Sequence, residues 1–346
     1  MPIIEATGLA RTYQSRKRVV HAVRGVDLTV DEGEIVGFLG PNGAGKTTTL
    51  RMLTTLLRPT AGHATVAGAD LVRDPVAVRR RIGFVPQAIG QTMGGTDNQA
   101  KVIEELHDQA ALYRIGKADG ARRAKALLSQ LDLGGLGDRL VKTLSGGQRR
   151  RLEIALGLVH EPPIVFLDEP TTGLDPQSRS NLWDHIRRLR SDLGTTVFLT
   201  THYLEEADAL CDRVIIIDNG VTVAAGTPDE LKRHVSGDVV TLKVSGPADR
   251  ARQLLAAQPI VRDVAESDEG LRLTVEHGEE ALPALLRAVD GAGMTISSIS
   301  LSRPTLDDVF LTLTGRSLRD DSPSSTGKPT ADATQQPDLA AAASRK

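Results

Sequence analysis

A glycine-rich segment near residue 40 has the residue types and the spacing that bind phosphate. Residues 40–47 read GPNGAGKT and match G-x-x-x-x-G-K-[ST]; we call them the phosphate loop. Glycines allow backbone amides to turn inward around phosphate oxygens. In this pattern Lys46 reaches the β- and γ-phosphates, and the Thr47 hydroxyl is a ligand for Mg²⁺. The alternative is a tight turn with a surface lysine, but a predicted strand before the loop and a helix after it favour the phosphate site.

A pair of acids at the end of an apolar run is the second candidate site. Residues 164–170 read IVFLDEP, so Asp168 and Glu169 end a predicted buried strand. A carboxylate at the carboxyl end of a sheet strand can hold Mg²⁺, which is the role expected for Asp168. Glu169 is placed to polarise an attacking water. Two solvated carboxylates are the alternative, and the position at a strand end favours the site.

A third segment, residues 144–148, reads LSGGQ and is called the LSGGQ segment below. Two adjacent glycines before a predicted helix expose backbone amides, and Ser145 adds a hydroxyl, which together form a second anion cradle. One chain needs one cradle per triphosphate, so the second cradle suggests contact with the nucleotide of another subunit. A plain helix N-cap is the alternative; it explains Ser145 but not the Gly-Gly-Gln that follows.

The spacing of apolar residues predicts the elements that must position these segments. Short buried-strand patterns alternate with helical periodicity, which indicates a parallel α/β sheet. The predicted strands are residues 3–9, 20–30, 34–40, 63–67, 82–85, 164–167, 195–199 and 213–217, and the predicted helices are residues 46–57, 99–131, 148–159 and 176–192.

The pattern restarts after a break near residues 234–237. Four strands and two helices then form a small βαββαβ unit, followed by one extra helix over residues 306–314. The last thirty residues are rich in Ser, Thr, Pro, Asp and Ala without large apolar periodicity, which predicts a disordered tail. We therefore expect three parts, residues 1–234, 238–315 and 316–346.

The composition excludes several classes of protein. The chain of 346 residues is 40% hydrophobic and 25% charged, as in ordinary globular proteins of two domains. A net charge of -2 and 3% aromatic residues argue against nucleic-acid binding, so Arg149–Arg151 is predicted to be a solvated face or a set of ion-pair partners. The single cysteine, Cys211, suits a reducing compartment. The sequence shows neither a signal-peptide pattern at its start nor an apolar run long enough for a membrane span.

The three segments together resemble the nucleotide-binding subunit of an ATP-binding cassette (ABC) transporter. They occur in that family's order and at similar spacing, and the resemblance covers about residues 1–232. It implies an α/β fold: a P-loop NTPase (RecA-like) core with an antiparallel β subdomain and an α-helical subdomain, followed here by a small α+β C-terminal domain. It also implies ATP and Mg²⁺ as cofactors.

The resemblance also implies roles for residues that carry no signal alone. Glu169 is expected to be the general base, His202 to contact the γ-phosphate, and Gln87 to sense Mg²⁺ and the attacking water. Tyr13 resembles the aromatic residue that stacks on adenine, and Asp175 belongs to a loop that touches the partner subunit. The full expected set is catalytic Gln87, Glu169 and His202; metal-binding Thr47, Gln87 and Asp168; and nucleotide-binding Tyr13, Gly40, Pro41, Asn42, Gly43, Ala44, Gly45, Lys46, Thr47, Thr48, Ser145, Gly146, Gly147, Gln148 and Asp175.

Two other segments refine the resemblance. Residues 88–99 (AIGQTMGGTDNQ) depart from the family, which often has a more apolar segment with Glu-Asn-Leu facing the membrane partner. Residues 303–310 (RPTLDDVF) resemble the ending of ATPase subunits of drug and antibiotic exporters, in particular those of the daunorubicin-resistance ATP-binding family. The alternative is that residues 238–315 only stabilise a dimer.

These resemblances imply an ATPase subunit that powers export of a hydrophobic drug or antibiotic-like compound. Two chains would form a homodimer that encloses two ATP molecules, each between one phosphate loop and the other chain's LSGGQ segment. The substrate would be carried by a separate membrane permease, with the ATPase bound peripherally at the cytoplasmic face and no nucleic acid involved. A soluble mechanical ABC ATPase acting on ribosomes or DNA is the alternative; it would need a second cassette or a long coiled-coil insertion, and the sequence shows neither.

Overall fold

The structure is a computed structural model that describes residues 1–15, 18–87, 99–235, 237–245, 248–267, 270–302 and 304–314. The predictions for the departing segment (described only at Gln99) and for the tail concern residues outside these ranges. The strands are β1 (Pro2–Ser15), β2 (Arg18–Asp31), β3 (Ile35–Leu39), β4 (Ala61–Val66), β5 (Ala69–Asp70), β6 (Ile82–Val85), β7 (Ile164–Asp168), β8 (Thr196–Thr201), β9 (Arg213–Asp218), β10 (Val221–Gly226), β11 (Asp238–Ser245), β12 (Val261–Ser267), β13 (Gly270–Val275) and β14 (Thr295–Ser302). The helices are α1 (Lys46–Leu53), α2 (Pro75–Arg81), α3 (Val102–Leu112), α4 (Lys117–Gln130), α5 (Gly146–Leu158), α6 (Pro176–Leu193), α7 (Leu204–Leu210), α8 (Pro228–Val235), α9 (Ala248–Ala256), α10 (Gly278–Gly291) and α11 (Leu306–Thr314).

A ten-stranded sheet organises the first 226 residues, in the order β5-β4-β1-β2-β10-β9-β3-β8-β7-β6. The five strands from β9 to β6 are parallel, as the alternation of strands and helices predicts. The long hairpin of β1 and β2, with β4 and β5, forms the antiparallel part. Because the parallel strands share one direction, the residues that follow β3, β7 and β8 meet at the same edge of the sheet.

Apolar side chains from alternate positions of the parallel strands fill a core on each face. On one face Phe38, Phe166 and Phe198 pack with ring centroids 5.6 Å apart, under α1 and the antiparallel strands. On the other face Leu39, Leu167 and the remaining alternate residues pack against α3 to α8. Both faces are buried, which explains why these strands are apolar throughout.

Over residues 99–131 the structure has two α-helices where the sequence predicts one. α3 ends at Leu112, Arg114 takes a left-handed φ of 59°, and Gly116 is the N-cap of α4. The apolar spacing continues across this turn because both helices face the same core, so the periodicity hides the break.

Several elements of the first unit were not predicted from the sequence. They are short or polar: α2, α7, α8, β5 and β10. β10 follows β9 through a tight turn at Asn219 and Gly220, whose φ angles of 49° and 78° are typical of an Asn-Gly hairpin. That dipeptide was a usable signal for the missing strand.

The C-terminal unit is a four-stranded antiparallel sheet in the order β12-β13-β11-β14, with α9 and α10 packed on one face. This is the split βαβ arrangement that a βαββαβ sequence produces. The extra helix α11 packs elsewhere: its buried residues Leu306, Val309 and Phe310 join the core of the first unit, against α8 and α7. The last helix of the described chain thus packs on the first unit.

Candidate active site

The phosphate loop connects β3 to α1, and its backbone requires glycine at two positions. A Cβ atom on Gly40 would lie 2.3 Å from the Ile217 carbonyl oxygen, and one on Gly45 would lie 2.7 Å from the Ala22 carbonyl oxygen. Gly45, the N-cap of α1, has a φ of 107°, which is outside the range of L side chains. The amide end of α1 therefore faces the loop, as an anion site needs.

Lys46 is buried at the first position of α1. Its Nζ atom donates to the carbonyl oxygens of Gly40 and Pro41, at 2.8 and 3.1 Å, and lies 3.4 Å from Glu169 Oε1. Burial lowers the pKa of Lys46, although the nearby carboxylates of Glu169 and Asp168 oppose this change. The cation is thus held inside the loop that the sequence assigns to the phosphates.

Thr47 and Asp168 meet as the proposed Mg²⁺ ligands require. Thr47 Oγ1 lies 3.2 Å from Asp168 Oδ1, and Thr200 donates to the same carboxylate oxygen at 2.6 Å. Among the described residues, no group of three or more His, Cys, Asp or Glu side chains could hold a metal alone. A hydroxyl and one carboxylate fit Mg²⁺, which usually completes its ligands with water and substrate phosphates.

Several side chains of the site contact the carboxylate of Glu169. Gln87 Nε2 donates to its Oε2 atom at 2.8 Å, Thr172 Oγ1 donates to the same atom at 3.2 Å, and His202 Nδ1 lies 3.2 Å from it. The backbone of Glu169 is left-handed, with φ 43°, and its amide donates to Thr200 Oγ1. The structure therefore brings Gln87, Glu169, His202 and Lys46 together, although they are spread over 157 positions of the sequence.

The two neighbouring acids have opposite pKa shifts. Burial would raise the pKa of Glu169, but the His202 imidazole and the Lys46 ammonium outweigh it and hold that pKa below the ordinary value. Burial raises the pKa of Asp168, against the hydrogen bond from Thr200. Glu169 is therefore ionised throughout the neutral range and can accept a hydrogen bond from a water.

The LSGGQ segment starts α5. Ser145 is the N-cap, its hydroxyl accepts from the Gln148 amide at 3.3 Å, and Gln148 Oε1 accepts from the Ser145 amide at 3.0 Å. This capping box accounts for the serine and the glutamine, but not for the glycines. A Cβ atom on Gly146 would meet nothing within 4 Å, and one on Gly147 would touch only Ser178. Among the described residues, the space beside Gly146 is therefore open, whereas Ser178 lies close to Gly147.

Two other expected contacts have partners within the chain. Tyr13 lies on β1 rather than in a loop, is 40% exposed, and has the Arg11 guanidinium 4.9 Å from its ring centroid. Asp175 is the N-cap of α6, and its carboxylate accepts from the amide and the hydroxyl of Ser178. These hydrogen bonds lower the pKa of Asp175. Both residues are at the surface, where a nucleotide or a second chain can reach them.

Three residues that contact the site were not predicted from the sequence. Thr200 and Thr172 bind the two acids, but a threonine at a strand end or in a loop gives no signal of its own. Arg150, which the sequence places in a solvated face or among ion-pair partners, is 2% exposed and binds the backbone on both sides of Glu169. Arg150 also forms an ion pair with Glu153, as the second of those two predictions requires.

The fold and the site define a P-loop nucleoside triphosphatase. Residues 23–172 match the family described as ABC transporter, and residues 226–314 match the C-terminal domain of DrrA1-3-like ATP-binding proteins. The chain belongs to the ABC transporter family, and it is an ATPase coupled to membrane transport. The resemblance stated from the sequence is confirmed.

Similar proteins cover nearly the whole chain. The daunorubicin resistance ATP-binding protein DrrA3 of Streptomyces coeruleorubidus is 44% identical over 91% of this chain and 97% of its own. The daunorubicin/doxorubicin resistance ATP-binding protein DrrA of Streptomyces peucetius is 42% identical over 92% and 94%. A Nod factor export ATP-binding protein of Ralstonia nicotianae is 38% identical over 92% and 96%.

Solved structures match the first unit. The cbiO1 protein of Clostridium perfringens, part of the ABC transporter complex cbiONQ, is 28% identical with a TM-score of 0.60, over 66% of this chain and 90% of its own. The ATP-binding cassette MJ0796, in a dimeric post-hydrolysis state bound to ADP and Pi, is 26% identical with a TM-score of 0.57, over 65% and 98%. Within the part of the chain that the structure describes, no helix is long and apolar enough to cross a membrane.

Proposed function

We propose that two copies of this chain enclose two ATP molecules, each between the phosphate loop of one copy and the LSGGQ segment of the other. The open space beside Gly146 supports this proposal, because a glycine at a helix start costs stability unless something approaches it closely. Nothing in the described part of the chain makes that approach. The dimeric form of the MJ0796 cassette is consistent with it.

Within each site, Glu169 receives the hydrogen bond of the attacking water as the water adds to the γ-phosphorus and the bond to the ADP oxygen breaks. Gln87 and Thr172 orient that carboxylate through Oε2, and His202 contacts the same atom. Lys46 offers its ammonium to the phosphates in place of the loop carbonyls. Thr47 and Asp168 would hold Mg²⁺, which when bound neutralises charge on the β- and γ-phosphates. Positioning and neutralisation of charge do most of the catalytic work.

The transport reaction is export of a hydrophobic, antibiotic-like compound through a separate permease subunit. This chain would sit peripherally on the cytoplasmic face of the membrane. The observation that carries this proposal is the 44% identity to a daunorubicin resistance ATP-binding protein over 91% of the chain, including the C-terminal unit.

Inside-out membrane vesicles from cells that co-express the chain and a candidate permease test the proposal. We expect ATP-dependent accumulation of daunorubicin with the wild-type chain and none with Glu169→Gln. If another hydrophobic antibiotic from a panel is exported instead of daunorubicin, the proposed class of substrate is supported and the transported compound is a different one. ATP hydrolysis by the complex without transport of any panel member would contradict the export function and leave the ATPase activity standing.

A further inference from the structure

Arg150 binds the backbone of two segments of the active site, although none of the three motifs includes it. It lies on α5, two positions after the LSGGQ segment, and is 2% exposed. Its guanidinium donates to three carbonyl oxygens in two separate segments: Nε to Pro170 at 2.9 Å, Nη1 to Pro86 at 2.6 Å and Nη2 to Asp168 at 3.1 Å. A planar guanidinium with five N–H donors can fix several acceptors at once.

The three carbonyl groups flank the residues that surround the attacking water. Pro86 precedes Gln87, and Asp168 and Pro170 stand on either side of Glu169. Glu169 is left-handed, a backbone conformation that a non-glycine residue keeps only when its surroundings hold it. Arg150 binds the peptide carbonyls before and after that residue.

We propose that Arg150 is a positioning residue that fixes the backbone presenting Gln87 and Glu169. Because it stands on α5, it also ties this chain's own hydrolytic site to its LSGGQ segment, which faces the nucleotide of the other copy. A shift of the start of α5 on contact with that nucleotide would move the guanidinium and, with it, both catalytic segments. The inference rests on the proposed function, since it assumes the roles given there to Glu169 and the LSGGQ segment.

A purely structural role is the competing explanation, because Arg150 also pairs with Glu153, 2.9 Å away and equally buried. A buried ion pair is weak evidence for stability, since well-packed apolar residues often replace one without loss. Removal of Arg150 alone would take a cation away from the buried Glu153 carboxylate, and the chain could unfold for that reason. A positioning role can therefore be distinguished from a purely structural role only with a variant that lacks both charges.

The test compares three proteins. Arg150→Met with Glu153→Met removes both charges and keeps volume, Arg150→Lys keeps a charge with fewer donors, and Arg151→Met is the matched control. Arg151 lies on the same helix, half-buried, and contacts His185 and Asp132 instead of the site. Trp183, the only tryptophan, reports the folded fraction of each protein.

We expect the double variant to bind ATP with a Kd within about threefold of wild type while its kcat falls at least about thirtyfold. Its KM changes little, because the loss appears at the chemical step. Arg150→Lys recovers part of kcat, and Arg151→Met stays within about twofold.

A kcat within about threefold of wild type would overturn the role of Arg150. The role of Arg150 would also be overturned if kcat fell only in proportion to the fraction of folded protein. The proposed function has its own test in Glu169→Gln: if that variant hydrolyses ATP normally, Glu169 is not the base, whatever the Arg150 variants do.

Discussion

Lys46 Nζ lies 3.4 Å from Glu169 Oε1, and the two side chains are 3% and 7% exposed. The cation assigned to phosphate and the carboxylate assigned to water thus form one buried pair. Each supports the charge of the other: Lys46 lowers the pKa of Glu169, and Glu169 opposes the fall in the pKa of Lys46 that burial causes. Binding of a triphosphate would compete with Glu169 for the same ammonium.

Lys46→Ala should weaken ATP binding by about 1.5–3 kcal/mol, because a buried, charge-assisted contact to the phosphates is lost. That loss corresponds to a Kd raised about 10- to 150-fold. Titration calorimetry measures it, with Lys101→Ala as control, since Lys101 pairs with Asp138 at the surface. An unchanged Kd would remove Lys46 from the phosphate site.

Gly146→Asp should leave ATP binding to one chain nearly normal and block turnover. A Cβ atom there meets none of the described residues within 4 Å, and under the proposed function the added carboxylate would repel the nucleotide of the other copy. Mixing it with Lys46→Ala pairs one doubly defective site with one intact site. We expect ATPase activity to reappear in the mixture, as measured against each variant alone. No activity at any mixing ratio would count against the shared site.

His160 should make the chain less stable as the pH falls below the ordinary range of histidine. Burial lowers its pKa to about 4, against the hydrogen bond to the Ile82 carbonyl oxygen, and the ring stacks on Tyr113 at 3.8 Å. Between about pH 6.5 and 4 the unfolded state binds a proton that the folded state does not, so the free energy of unfolding decreases with falling pH.

The expected loss is about 2–3 kcal/mol across that window, and His160→Gln should lack it. Urea denaturation at several pH values compares the two proteins, and the difference between their curves isolates this residue from the other titrating groups. Parallel curves for wild type and His160→Gln would contradict a neutral, buried His160.

Motifs made the phosphate loop, the two acids and the LSGGQ segment predictable, because phosphate binding needs particular residues at fixed spacing. The sequence did not predict the left-handed backbone of Glu169 or the buried position of Arg150. Both depend on carbonyl groups from segments 64 and 20 positions away from Arg150, which only the folded chain brings together. In the same way, the hydroxyl of Thr200 reaches Asp168 because β7 and β8 are neighbours.

The periodicity of the C-terminal unit predicted its strands and helices but not where α11 packs. An amphipathic helix shows that one face is buried, and nothing in its sequence says against which unit. Leu306, Val309 and Phe310 complete the core of the ATP-binding part beside α7, the helix that follows His202.

Phe310→Ala should therefore destabilise the ATP-binding part, by about 3–5 kcal/mol, because it leaves a cavity in that core. Phe310 is fully buried, and the neighbouring Leu311 is 47% exposed, so Leu311→Ala is the matched control with a change within about 0.5 kcal/mol. The rate of thermal inactivation of ATP hydrolysis reports the difference. Equal inactivation of both variants would mean that α11 does not support the ATPase core.

Glu169→Gln tests the central claim most directly, through single-turnover hydrolysis of ATP together with the ATP-dependent state of association. The amide keeps the size of the side chain but cannot accept a proton from water. We expect hydrolysis to fall at least about hundredfold while ATP still binds and holds two chains together as a dimer. Hydrolysis within about threefold of wild type would show that Glu169 is not the base and would contradict the account.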